Sequence, residues 1–181
     1  MTDQALKDLF ASIAIFQKET AIQMKKQSAE TDRQMKETDE KLKSVGIQLG
    51  NIGRNQGDVA EEFFVNSLSS TLKVADIQYD ELYKNMYKKT KKIEGEFDIV
   101  LINGKDVAII ETKYKAHSSD LEELINEKHK KFQALYPQYN DYNHHLGLAS
   151  FHINEDLKKD ALNKNIFVLQ RKGDLIKSFL P

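Results

Sequence analysis

The stretch from Glu94 to Lys115, EGEFDIVLINGKDVAIIETKYK, constrains this chain more than any other. Two apolar runs, Phe97–Ile102 and Val107–Ile110, flank Asn103-Gly104, the dipeptide most typical of a type I′ hairpin turn. A hairpin of two largely buried strands is expected. Charges sit awkwardly in it: Asp98 inside the first run, Glu111 at the end of the second, then Lys113. Strand alternation puts Glu111 and Lys113 on one face. Charged groups at the mouth of a buried strand cost free energy unless something there uses them. This end of the hairpin is therefore the candidate functional site.

Upstream, residues 1–52 contain no Pro, have their first Gly at Gly46, and are dense in Gln, Lys, Glu, Ala and Met, all good helix formers. Two heptads repeat almost verbatim, Glu30–Lys36 and Glu37–Lys43. A 3-4 spacing through them gives a seam of Met24, Thr31, Met35, Thr38, Leu42, Val45, Leu49 and Ile52. The expectation is a long coiled-coil helix that oligomerises, extending on the order of 75 Å. Leu6, Leu9, Phe10, Ile13 and Phe16 form a richer apolar face near its start. Gly46, Gly50, Gly53 and Gly57 should then end or bend that helix, which sets a boundary near residue 52 and a second domain over 53–181. A new helix is expected from Asp58, with Glu61 on the face of Phe64 and Leu68. Asp58 and Glu61 also fit a capping box, and spacing alone leaves the capping and active-site roles of Glu61 open.

Downstream of the hairpin, Ser118-Ser119-Asp120 caps a helix Leu121–Tyr136, with Lys128, Lys130 and Lys131 on its polar side and Pro137 as a stop. Strand His144–Ile153, helix Glu155–Lys164, strand Ile166–Gln170 and strand Leu175–Leu180 follow, an α/β pattern. His117, His129, His144, His145 and His152 show no ligand spacing and read as structural or surface groups. Tyr79, Tyr83 and Tyr87 interleave with Lys84, Lys88, Lys89, Lys91 and Lys92, a pattern that suits nucleic acid or a solvated rim equally. With a net charge of −1, a nucleic-acid partner would be held by such local patches rather than a global field. The absence of Cys excludes disulfides and thiolate metal sites. No apolar run approaches the ~18 residues of a membrane span. The acidic, discontinuous N-terminus is not a secretory signal, so a soluble cytoplasmic protein is expected.

Pairing the two strands brings the Asp98 and Glu111 regions together. Adjacent carboxylates repel unless a cation neutralises them, and oxygen-only ligands suit Mg²⁺, with Mn²⁺ as a substitute. Lys113 would then position or help deprotonate a water, or stabilise transition-state charge. The signature Asp98…Glu111-Thr112-Lys113 resembles the PD-(D/E)XK nuclease superfamily, in particular bacterial members with an N-terminal coiled coil. Phe97 stands where the superfamily's Pro would be, and Glu96 is a possible substitute ligand.

The resemblance implies a restriction-endonuclease-like mixed β-sheet flanked by helices over 53–181. It implies that Glu61 completes the site as the helix acid. The metal would be held by Asp98, Glu111, Glu61 and the Thr112 carbonyl. The activity implied is endonuclease hydrolysis of DNA leaving a 5′-phosphate. Tyr87, Lys88, Lys89, Lys91, Lys92 and Lys115 would line the DNA path, and the coil would dimerise two such sites. The alternative is an inactive nucleic-acid- or protein-binding scaffold on the same fold.

Overall fold

The computed structural model describes the backbone of residues 3–181 and the side chains of 16–181, apart from those of 21, 46–52 and 54. The seam positions Leu49 and Ile52 and the apolar face at Leu6, Leu9, Phe10 and Ile13 lie outside the described side chains. The chain divides into two compact units, Met1–Ile52 and Gly53–Pro181.

A single helix, α1, is assigned over Asp3–Ser69. The four glycines, expected to end or bend it, therefore do not end it. Each glycine costs about 1 kcal/mol relative to Ala, but the backbone hydrogen-bond ladder needs no side chain to continue. In the second unit, burial of Ala60, Phe64 and Leu68 anchors the last turns of the helix. Asp58 lies within this helix, so it is not an N-terminus and the capping-box role for Glu61 falls away. In the first unit Met24, Met35, Leu42 and Val45 are all exposed. The hydroxyls of Thr31 and Thr38 donate to the carbonyls of Gln27 and Gln34, satisfying themselves within the helix.

After α1 come a miniature antiparallel pair, β1 (Lys73–Val74) with β2 (Ile77–Gln78), then β3 (Glu81–Lys89), β4 (Glu94–Ile102) and β5 (Asp106–Lys115). The next helical stretch is α2 (Ser118–Glu123), a π-helical turn (Leu124–Lys128) and α3 (His129–Leu135). It is followed by β6 (Asn143–His152), α4 (Glu155–Asn163), β7 (Phe167–Lys172) and β8 (Leu175–Phe179). The sheet order is β3-β4-β5-β6-β7-β8. β3, β4 and β5 pair antiparallel, β5, β6 and β7 parallel, and β7 with β8 antiparallel. One face carries Phe97, Val100, Val107 and Ile109 under Leu121, Leu124, Phe132 and Leu135 of the α2–α3 stretch. The other carries Ile99, Leu101, Ala108 and Ile110 under Ala60, Phe64 and Leu68 of α1. This α/β mixed sheet, flanked by helices and preceded by a long helix, fits the restriction-endonuclease-like core expected from the sequence.

Local chemistry differs from expectation at two places. Asn103 and Asp106 face each other across the β4–β5 turn (Asn103 N to Asp106 O, 3.0 Å), so the loop residues are Gly104-Lys105 rather than Asn103-Gly104. Among these residues none has a positive φ, which rules out a type I′ turn. The Asn103 side chain builds the turn instead, its Oδ1 accepting from the Lys105 and Asp106 N–H groups. At the start of α2, His117 is the N-cap and the Asp120 carboxylate accepts its N–H at 2.7 Å. The adjacent His144 and His145 point apart, to Tyr139 and Asp106. His144 Nε2 meets the Tyr139 carbonyl, which requires a proton there and leaves Nδ1 to accept from His129 Nε2 at 3.0 Å.

Two residues show how tightly the sheet is specified. Gly147 lies in β6 between Ile110 and Phe167, and a Cβ there would come within 2.2 Å of the buried Phe167 ring. Gly147→Ala should lower stability by about 1–3 kcal/mol in urea unfolding, and Phe167→Leu in the same chain should restore part of it. Asp106, also buried, accepts from Asn143 at 3.0 Å and meets His145 at 3.1 Å. The His145 contact, then that of Asn143, holds its carboxyl below the ordinary 3.8. A depressed native value stabilises the fold above that pH, and the contribution is lost as pH falls through the native value. The stability gap between wild type and Asp106→Asn should thus be full at pH 6 and narrow below about pH 4 in urea titrations.

Candidate functional site

The site begins where β4 and β5 part. Their pairing runs from Ile102–Val107 to Ile99–Ile110 and stops there. In β4, Phe97 and Val100 pack on one face while Ile99 and Leu101 pack on the other, so strand alternation slips at Asp98. The β3 neighbour of this slip, Asn85, has φ +50°, and the Asn85–Asp98 pair is missing from an otherwise regular β3–β4 register. Such irregularities re-aim a side chain out of the ladder. Asp98 uses the opening: its Oδ2 accepts from the Thr112 N–H at 2.7 Å and from the Thr112 hydroxyl at 2.9 Å. Thr112 thus enters the site as a donor that fixes Asp98.

Glu111 is the buried member, its side chain only 4% exposed. Its Oε1 accepts from Lys113 Nζ at 2.8 Å, which fulfils the expected same-face pairing, and its Oε2 accepts from Lys128 Nζ. Lys128 Nζ also lies 3.7 Å from Asp98 Oδ1, and Lys113 Nζ lies 3.9 Å from Asp120 Oδ1. Burial, followed by the charge of Asp98, pushes the Glu111 carboxyl above its usual value, against the pull of Lys128 and Lys113. For both lysines burial alone favours the neutral amine. The nearby carboxylates outweigh it, Glu111, Asp120 and Asp98 for Lys113 and Asp98 with Glu111 for Lys128, so both sit above the usual lysine value. In this state Lys113 is a committed ammonium, suited to charge stabilisation rather than proton abstraction.

Asp98, Glu111, Thr112 and Lys113 are therefore brought together. Glu61 reaches the neighbourhood from α1 on the opposite face of the sheet, partly exposed, and its carboxyl is raised by burial and then by the charge of Asp98. Among the described residues no group of three or more acidic, His or Cys side chains forms a ready metal cluster. Glu96 is exposed and pairs with Tyr87 across β3 and β4.

The expected DNA-path residues divide. Lys88 donates to the Leu135 carbonyl at 2.6 Å and lies over the Tyr136 ring, tying β3 to the C-terminus of α3. Lys89 pairs with Glu94 at 2.6 Å, and the Tyr87 hydroxyl also meets Glu94. Lys91, Lys92 and Lys115 are exposed and carry no ion pair among the described residues.

Lys128 is the site residue missed in the sequence, where it was assigned to the polar side of its helix. A signal existed: Leu121, Leu124, Lys128, Phe132 and Leu135 follow helical 3-4 spacing, so this lysine interrupts an apolar stripe. The π-helical turn that ends at Lys128 left no mark in the composition.

No protein-family model matches the sequence, and no curated protein matches it. Among solved structures it is similar to Can2 from Sulfobacillus thermosulfidooxidans in complex with cyclic tetra-adenylate, at 20% identity and a TM-score of 0.43. The likeness covers 62% of this chain and 33% of that one, about a third of its length.

The ion cluster itself has a measurable consequence. Replacing a buried carboxylate leaves its partners as uncompensated cations. Glu111→Gln should lower stability by about 3 kcal/mol at neutral pH, read from urea unfolding midpoints.

Proposed function

We propose that the protein is a metal-dependent endonuclease that hydrolyses DNA phosphodiesters at the Asp98–Glu111–Lys113 site. The observation that carries this reading is the convergence of Asp98 Oδ1 and Glu111 Oε2 on one cationic atom, with a second ammonium alongside. That cation supports a positive centre between the two oxygens, and the all-oxygen donor set suits Mg²⁺ or Mn²⁺. Asp98 and Glu111 would hold the ion, with Glu61 and the Thr112 carbonyl as the further donors implied by the PD-(D/E)XK resemblance. A divalent ion in this position supplies Lewis acidity to a phosphoryl oxygen.

The chain's own residues do the rest. Thr112 fixes the Asp98 carboxylate through two donors and so sets the direction of Oδ1. Lys113, held protonated, stabilises the negative charge that grows on phosphorus oxygens as water attacks. The phosphorus gains the water oxygen and loses the bond to the 3′ oxygen, which takes a proton, leaving a 5′-phosphate on the other strand end. Lys91, Lys92 and Lys115, exposed and unpaired among the described residues, would contact flanking phosphates, with Tyr87, Lys88 and Lys89 behind them. The exposed Met24, Met35, Leu42 and Val45 face supports pairing of two chains through residues 1–52, which would deliver two sites to one duplex.

A second reading draws on a specific observation. Two ammonium groups already satisfy the two carboxylates, and a closed ion-pair cluster of this kind also suits a scaffold that binds nucleic acid or protein without turnover. The two separate on one assay: the full chain with single-stranded, duplex and branched DNA in Mg²⁺ or Mn²⁺. Hydrolysis should occur and fall about 100-fold or more in Asp98→Ala and Lys113→Ala. Cleavage undiminished in either variant overturns the assignment, and salt-sensitive binding without any cleavage favours the scaffold.

A further inference from the structure

We infer that Lys128 is a built-in occupant of the cation seat, an ammonium that a divalent metal must displace before the site can load. This inference rests on the reading of Asp98 and Glu111 as that seat.

Every other acceptor in the pair is already committed. Asp98 Oδ2 is taken by the two donors of Thr112, and Glu111 Oε1 by Lys113. What remains is Asp98 Oδ1 and Glu111 Oε2, and Lys128 Nζ contacts both. Mg²⁺ would need these same two oxygens at about 2.0–2.1 Å, Mn²⁺ the same two, and an ammonium still bridging them would be held against a double positive charge. Coulomb repulsion at that range in a partly desolvated site excludes joint occupancy. Lys113 does not compete in this way, because it binds the far oxygen of Glu111 and has Asp120 as a second carboxylate.

The fold leaves Lys128 free to go. Its helix is docked by Leu121, Leu124, Phe132 and Leu135, all buried, so the ion pair is not what holds the helix to the sheet. Its side chain is 19% exposed, and a lysine stem can swing to water by rotation about its own bonds. Lys128 closes a π-helical turn, a form that proteins use mostly as single turns at functional positions. The metal-free site is thus neutralised from within, and metal affinity is set by a competition rather than by the carboxylates alone.

Isothermal titration of the full chain with Mn²⁺ tests this on wild type, Lys128→Met and Glu111→Gln. Lys128→Met should bind Mn²⁺ at least tenfold more tightly than wild type, while Glu111→Gln should lose binding. On wild type alone, acetylation read by mass spectrometry should modify Lys128 several-fold faster in saturating Mn²⁺, with Lys92 unchanged. That second measurement decides the matter if Lys128→Met does not fold. Mn²⁺ affinity equal or weaker in Lys128→Met, or Lys128 acetylation unmoved by Mn²⁺, overturns the inference. If wild type binds Mn²⁺ and Glu111→Gln does not, that failure belongs to Lys128 alone. If neither wild type nor Lys128→Met binds Mn²⁺, the metal reading falls with it.

Discussion

A carboxylate shut away from water on a strand paired on one side and splayed on the other dictates what surrounds it. Burial at that depth disfavours the ionised form of Glu111, and the chain brings one ammonium from its own strand and another from the helix packed above. The splay that admits them is made by Asp98, whose side chain takes the Thr112 N–H that the ladder would otherwise have paired. Slip the register of β5 by one residue and every side chain on it changes layer. The acid would then face the opposite layer. Charge, register and helix position are one coupled constraint here.

The fold was largely legible in the sequence because its signals were periodic. The aliphatic runs around residues 97–110 became the central strands, and the later strand–helix–strand fell within a few residues of its expected bounds. Glu111 and Lys113 were readable as neighbours because alternation fixes same-face partners two residues apart. What escaped was aperiodic. The glycines near residue 52 look like breakers locally, yet helix continuity is decided by the flanking turns. The loop at Gly104-Lys105 is built by the Asn103 side chain, so the dipeptide rule pointed one residue off. Lys128 escaped because long-range ion pairing across helix and sheet depends on tertiary docking, which no window of sequence contains.

The basic residues before β4 show why composition says so little about partners. Lys88 and Lys89 read as equivalent, yet one caps a helix C-terminus and stacks on Tyr136 while the other meets an acid on the neighbouring strand. Lys91 and Lys92, beyond the end of β3, are exposed and make no ion pair among the described residues. A charge run is therefore resolved residue by residue, by what each side chain can reach.

The topology also orders assembly in time. Asp98 and Glu111 lie on strands joined by a short turn, so closing that hairpin costs little chain entropy and occurs early. The parallel partner β6 is reached only through the long connection over residues 116–142, which contains the helix bearing Lys128. Without that helix, the two like charges would have only Lys113 beside them. The step that docks the helix relieves that repulsion as well as burying Leu121, Leu124 and Phe132. Electrostatic relief and apolar burial thus depend on the same docked helix.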